Sequence, residues 1–195
     1  IYQIGFTKGV TTEPLHIVGD CDVEDTGTRT TFIPDNTIFP DITFDFDTMI
    51  TRYREMAFLN REVTIDLHDN RGDEPKDVHL HYDGGIITFV EYLNRHKEKI
   101  NPTPIYMATK VDDCFVEIAM QYNDSYQETV YSYANNIATT EGGTHLTGFR
   151  AALTRVINDY ARRYKFLKDN DQKLQSEDTR EGLAAIISVK LPDPQ

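Results

Sequence analysis

The run from Asn135 to Arg155, Asn-Asn-Ile-Ala-Thr-Thr-Glu-Gly-Gly-Thr-His-Leu-Thr-Gly-Phe-Arg-Ala-Ala-Leu-Thr-Arg, constrains this chain more than any other stretch. It reads as a strand end, a glycine-hinged turn at Gly142 and Gly143, a helix cap at Thr144 and an amphipathic helix carrying arginines. That helix is expected from Thr144 to about Leu167, with Leu146, Phe149, Leu153, Val156, Ile157, Tyr160, Tyr164 and Leu167 forming its apolar stripe. A strand, a tight turn and a long helix in succession point to a mixed α/β domain, with the helix laid on a sheet.

The rest of the chain supplies that sheet. Phe46, Met49, Ile50, Tyr53 and Ala57 follow helical spacing, as do Ile86, Phe89, Val90 and Leu93. Between these helices, Val63, Ile65 and Leu67 alternate with polar residues, and Val78, Leu80 and Tyr82 repeat the pattern. The intervening Asp69-Asn70-Arg71-Gly72-Asp73 has hairpin chemistry. Cys114–Tyr122 and Thr129–Ile137 read as extended and as antiparallel neighbours. Ser176 to Leu183 begins like a short capped helix, and Ala185 to Leu191 is strand-like until Pro192. Residues 1 to about 43 differ, with two short extended stretches, Ile1–Phe6 and Thr28–Ile33, among turn residues, and too little apolar surface to fold alone.

The totals bound the function. The chain has 195 residues, a net charge of −12 and 39% hydrophobic residues. Its mean hydropathy of −0.51 describes a globular protein with a charged surface, and no apolar run approaches the ~20 residues of a membrane span. An even spread of this charge repels a phosphate backbone, so any nucleic-acid contact must be local. Cys21 and Cys114 form no ligand cluster and fit a reducing cytoplasm. The opening Ile-Tyr-Gln-Ile, with neither initiator Met nor signal peptide, is expected of a segment from a longer protein.

Most chemistry is set aside on motif grounds. Neither GxGxxG nor GxxxxGK[ST] occurs, and no serine sits in a GxSxG elbow. Asp169-Asn170-Asp171 imitates the start of a calcium loop, but Leu174 stands where glycine is needed and Arg180 where the bidentate glutamate belongs. His79 and His81, two apart on one strand face beside Asp77 and Asp83, have metal-clip spacing but no evident third ligand, so no metal is expected. Gly142 and Gly143 before a helix suit an anion nest or a simple hinge, and Glu141 opposes a phosphate there. Arg150, Arg155, Arg162, Arg163, Lys165 and Lys168 face only Asp159 within the helix. This is either an exposed charged face or a local DNA contact.

Several segments together resemble the B subunit of bacterial DNA gyrase. They are Gly27-Thr28-Arg29-Thr30-Thr31-Phe32-Ile33-Pro34-Asp35, Glu55-Met56-Ala57-Phe58-Leu59-Asn60, His81-Tyr82-Asp83-Gly84-Gly85 with Phe89-Val90-Glu91-Tyr92-Leu93-Asn94, and Gln121-Tyr122-Asn123-Asp124. The run 135–155, Arg180-Glu181-Gly182-Leu183 and Ser188-Val189-Lys190-Leu191-Pro192-Asp193-Pro194 complete a collinear match, which the topoisomerase IV B subunit shares in large part.

The resemblance implies that residues 1–43 are the terminal β-hairpin edge of a histidine-kinase-like ATPase domain and 44–195 a transducer domain. The transducer is an α/β (α+β) fold whose mixed sheet is covered by helices and contains a left-handed βαβ crossover, opposite to the usual rule. The parent is implied to be a cytoplasmic, ATP-hydrolysing, Mg2+-dependent DNA topoisomerase, an isomerase. Its implied partners are DNA, the gyrase A subunit and a second B subunit in a closed clamp, with no membrane. The catalytic glutamate, the magnesium-binding asparagine and the lysine that reaches the γ-phosphate have no counterpart in these residues, so the chain alone is expected to be inactive and to hold no cofactor. Arg155, Arg162 and Arg150 become candidates for a DNA cavity, although Thr140 stands where relatives often carry a basic residue. The alternative expectation is an autonomous nucleic-acid-binding module using the basic helix 144–167.

Overall fold

The computed structural model describes residues 1–168 and 170–194. Two compact units divide it, Ile1–Asp45 and Phe46–Gln195.

In the first unit, strand β1 (Tyr2–Thr7) pairs antiparallel with β2 (Val10–Ile17). Lys8 (φ 50°) and Gly9 (φ 79°) are both left-handed, which is the geometry of a two-residue hairpin turn. The expected second strand at Thr28–Ile33 is therefore corrected: those residues carry no strand, and the partner of β1 follows it directly. The cause is Lys8, a residue that seldom marks a left-handed turn and so hides the hairpin in the sequence. Tyr2, Ile4, Phe6, Val10, Leu15 and Ile17 are all exposed, so this hairpin has no core of its own.

In the second unit, helix α1 (Phe46–Leu59) lays Phe46, Met49, Ile50, Tyr53 and Ala57 on the hairpin of β3 (Ile65–Asp69) and β4 (Lys76–Leu80). The register Ile65↔Leu80 and Leu67↔Val78 puts one apolar row against that helix. Helix α2 (Ile86–Leu93) then buries Ile86, Phe89 and Val90 with Phe58 and Leu59. Phe58 stacks on Phe89 at 4.6 Å between ring centroids.

A five-stranded sheet lies beneath them. Its strands are β5 (Ile105–Val111), β6 (Cys114–Tyr122), β7 (Thr129–Ala134), β8 (Ile137–Ala138) and β9 (Leu183–Lys190), in the order β5-β6-β9-β7-β8. Helix α3 (Thr144–Arg163) covers the opposite face. Ala184 and Ile186 of β9 pack toward α2, while Leu183, Ala185 and Ile187 pack toward Phe149 and Leu153 of α3. A strand buried on both faces reads as an unbroken apolar run, as β9 does.

That burial corrects the expected pairing of Cys114–Tyr122 with Thr129–Ile137. β9 lies between them, antiparallel to β6 and parallel to β7, because an element apolar on both sides takes the centre of the sheet. The second of those stretches also breaks at Asn135 (φ 48°) and Asn136 (φ 66°), which turn the chain into β8. β5 is an additional strand that the periodicity did not reveal, since its residues are exposed on both faces.

Two helix expectations are corrected as well. α3 stops at Arg163, where Lys165 turns left-handed (φ 62°) and the amides of Phe166 and Leu167 both reach the Ala161 carbonyl. Ser176 to Leu183 forms only a 3-10 turn at Asp178–Arg180, and Gly182 (φ 69°) ends it.

Candidate functional site

Only part of the expected α3 stripe is core. Phe149, Leu153 and Ala161 are buried, but Val156, Tyr160 and Tyr164 are each more than half exposed. Tyr160 packs on Tyr164 at 4.4 Å and on Phe166 at 6.2 Å, so an aromatic cluster stands on the surface at the C-terminal end of the helix. Asn158 is buried in their place, its Nδ2 donating to the Leu174 carbonyl at 3.0 Å and its Oδ1 accepting from the Leu174 amide at 2.9 Å. An asparagine pinning a passing segment is not visible as helical periodicity.

The three candidate arginines have different surroundings. Arg150 donates from Nε (3.1 Å) and Nη2 (2.8 Å) to Glu128 Oε1, while Arg180 donates to Glu128 Oε2 at 2.6 Å. Glu128 thus joins the start of β7, helix α3 and the 3-10 turn, and Arg150, of the three candidates, is the one engaged in that tie. The geometry is of the strong charge-assisted kind. Arg162 is half-buried, with Nε shut off from solvent and without a hydrogen-bond partner among the described residues. Arg155, seven residues before it on the same helical face, is exposed and makes no ion pair among the described residues. Arg162 and Arg163 occupy the last turn, where the helix dipole favours cations, so part of the basic cluster stabilises α3 itself.

The glycine turn is held at both ends. Gly142 is left-handed (φ 88°) and its amide donates to the Thr139 carbonyl at 2.9 Å. Gly143, not Thr144, occupies the cap position in extended conformation, and no side chain caps the helix. Thr144 is already the first helical residue, so its hydroxyl is past the point from which a cap bonds back to the free amides, and the expected threonine cap is corrected.

A side-chain relay that the sequence did not suggest braces the same turn. Thr139 Oγ1 donates to the Ser132 carbonyl at 2.9 Å and lies 2.7 Å from Ser132 Oγ and 3.1 Å from His145 Nε2. A hydroxyl has one hydrogen, so with that hydrogen on the Ser132 carbonyl Thr139 accepts from Ser132 Oγ and from His145 in its Nε2–H tautomer. Burial pushes the His145 pKa below the ordinary histidine value of 6.5. His81 is shifted the opposite way, by its bond to the Val63 carbonyl and then by Asp83.

Titration followed by NMR is expected to place the His145 midpoint below 6.5 and that of His81 above it, with His145 as the Nε2–H tautomer. Linkage gives opposite signs. The His145 contribution to stability is present in the neutral state and is lost as acid protonates the unfolded chain first. The His81 contribution is complete below 6.5 and is lost as pH rises through its folded value. Coincident midpoints would contradict both environments.

The histidines of the β3–β4 hairpin each have their own carboxylate: His79–Asp66 at 2.6 Å, His68–Asp77 at 2.6 Å and His81–Asp83 at 2.8 Å. Among the described residues no three metal-ligating side chains converge. Asp169 of the calcium-like stretch lies outside the described residues; Asp171 accepts the Lys168 amide at 2.7 Å. A cleft of about 360 Å³ is lined by Tyr126, Glu128, Glu177, Asp178, Arg180 and Glu181. Four carboxylates around one arginine disfavour a phosphate ligand. No helix among the described residues is long and apolar enough to cross a membrane.

Residues 85–195 match the family model described as DNA gyrase B. The chain belongs to the DNA gyrase B family. It is 50% identical over 196 aligned positions to the DNA gyrase B subunit of Clostridium acetobutylicum and 53% identical over 196 to that of Streptococcus pneumoniae. Both alignments cover 100% of this chain and 30% of the relative, so the chain spans about a third of the length of these gyrase proteins. Among solved structures, the 43K ATPase domain of Thermus thermophilus gyrase B, crystallised with an aminocoumarin, is similar with a TM-score of 0.83 and 34% identity. That similarity covers 100% of this chain and 52% of the other.

Proposed function

We propose that this chain is the transducer portion of an ATP-dependent type II topoisomerase of the gyrase B kind, residues 44–195, preceded in 1–43 by the edge of the ATPase domain. It relays nucleotide state to clamp closure and DNA strand passage without catalysing a reaction itself. The observation that carries this reading is the position of β9. It pairs along its whole length with β6 and over Thr129–Ala134 with β7, and both faces are packed by helices. A displacement applied at the Lys190 end therefore moves the sheet, α2 and α3 as one body, as close packing does not deform continuously.

ATP and Mg2+ belong in this reading to the parent protein. The gyrase A subunit, a second copy of the parent and duplex DNA are partners of the assembled enzyme, which works in the cytoplasm. Arg155 is the residue of this chain best placed to border the DNA cavity, with Arg162 beside it on the same face.

The isolated chain is expected to show no ATP hydrolysis above background, and its affinity for duplex DNA is expected to be too weak to titrate even at low salt. Hydrolysis abolished by substitutions within this chain would overturn the reading. Strong duplex binding that falls steeply with salt, and whose log–log slope drops by about 0.9 in Arg155→Glu, would establish the autonomous nucleic-acid module instead.

A further inference from the structure

Strand β5 ends the sheet, and its outer side pairs with no other described strand. Every one of its seven residues is exposed, including Ile105, Tyr106, Met107 and Val111. Proteins ordinarily blunt such an edge with a bulge, a proline, several charges or a short strand. β5 has none of these: its register with β6 is unbroken over seven pairs, it contains no proline, and Lys110 is its single charge. The outward-pointing backbone donors and acceptors of alternate residues are thus held in extended form by β6.

The side chains of β5 are self-complementary about Ala108. Antiparallel pairing of two β5 strands around that residue uses all seven positions, matching Ile105 with Val111, Tyr106 with Lys110, Met107 with Thr109, and Ala108 with itself. Any shifted register shortens the ladder. Pairing with β6 sets Tyr106 opposite Ala119 and Ala108 opposite Glu117, so Tyr106, Ala108 and Lys110 share the face on which α2 packs. There Tyr106 donates to Glu117 Oε1 at 2.7 Å, and Arg61 lies over the Tyr106 ring. Arg61 also donates to the Tyr106 hydroxyl at 3.1 Å and to Glu117 Oε1 at 3.3 Å. Lys110 of a second copy therefore arrives beside a carboxylate that is already paired, and adds its aliphatic stem to the Tyr106 ring rather than a new ion pair. On the opposite face, Ile105 and Val111 of the two copies pair at each end with Met107 and Thr109 between them, while on the α2 face the small Ala108 leaves room at the axis.

We infer that β5 is a homotypic docking edge, and that two copies of this chain join their sheets antiparallel through Ile105–Val111 on a two-fold axis at Ala108. This interface is separate from the relay proposed above and needs none of it. Because each copy carries −12, long-range repulsion opposes it. Salt is therefore expected to strengthen it by screening that repulsion.

The test is sedimentation equilibrium of the 195-residue chain across protein and salt concentration, with thermal melting to verify folding. Wild type is expected to form a dimer that tightens as salt rises. Ala108→Glu, which sets two carboxylates on the axis, is expected to weaken it at least about tenfold, or ~1.4 kcal/mol, in a protein that still melts cooperatively, at a somewhat lower temperature because residue 108 also faces Glu117 of its own β6. Register is tested in a Cys21→Ser, Cys114→Ser background. There Ala108→Cys brings its thiols to directly opposed positions, about 4.5–5.5 Å between Cα atoms and within disulfide reach. Oxidation is expected to yield a covalent dimer, and Thr109→Cys is expected to yield far less. A chain that stays monomeric at all salts overturns the inference. So does a dimer indifferent to Ala108→Glu, or one in which Thr109→Cys crosslinks as well as Ala108→Cys.

Discussion

Gly182→Ala is expected to destabilise the second unit by about 3–4 kcal/mol, the largest effect of any single methyl group added to it. Two costs combine. Gly182 has φ 69°, a conformation alanine adopts only with strain. An added Cβ would also lie 2.3 Å from the Asn123 carbonyl oxygen and 2.8 Å from that of Ser125. Both obstacles are backbone, so neither can swing aside, and the Asn123 amide is bonded to the Gly182 carbonyl at 2.8 Å. Gly142→Ala separates the two terms, because Gly142 is also left-handed but its Cβ would meet only Leu146 Cδ2, at 3.7 Å. It is expected to cost only the conformational part, about 1–2 kcal/mol. Urea unfolding of the three proteins checks this, and equal losses for the two variants would show that the close approach at Gly182 relaxes freely.

Asn94→Ala is expected to cost about 2–4 kcal/mol, although it removes only a small amide. Asn94, Gln121 and Asn123 have at most 1% of their surface exposed. Asn94 Nδ2 donates to Gln121 Oε1 and Asn123 Nδ2 donates to Asn94 Oδ1, each at 2.9 Å. Gln121 passes the chain on to the Asn101 carbonyl at 2.9 Å, and Ser125 donates to Asn123 Oδ1 from its amide and its hydroxyl. Alanine at 94 leaves one buried acceptor and one buried donor without partners, and in a dry site their desolvation is not recovered. Hydrogen exchange is expected to accelerate around Asn101, whose carbonyl is held by Gln121 and whose Oδ1 accepts the Tyr122 amide at 2.7 Å. A double-mutant cycle between Asn94 and Gln121 should give a coupling above about 1 kcal/mol, and additivity would refute the network.

How far the fold could be read from the sequence depended on where each residue's partners lie. Phe46 to Ala57, Ile86 to Leu93 and the Ile65–Leu80 hairpin are set by local periodicity and a local turn, and all three form where they were expected. The place of β9 was not legible, because an apolar run says that both faces are buried but not which strands flank it. The candidate site follows the same division. Arg155 and Arg162 could be placed on one helical face by spacing alone, whereas the engagement of Arg150 rests on Glu128, 22 residues earlier in the chain. Thr144 is of a residue type that favours caps, yet the glycine before it supplies the extended geometry of the cap position. Val156 and Tyr160 fit the apolar period yet stay exposed, since no described element packs over that flank of α3.

The order of strands carries a consequence for how the molecule comes into being. The β5–β6 hairpin and the β7–β8 hairpin never pair with each other; β9 alone connects them, and in sequence it follows every other strand. During synthesis both hairpins and α3 leave the ribosome before the strand that joins them, so the sheet cannot close until translation has passed Lys190. Until then, Leu183 to Ile187 have no seat, and the edges of β6 and β7 that they will cover stand open to other chains.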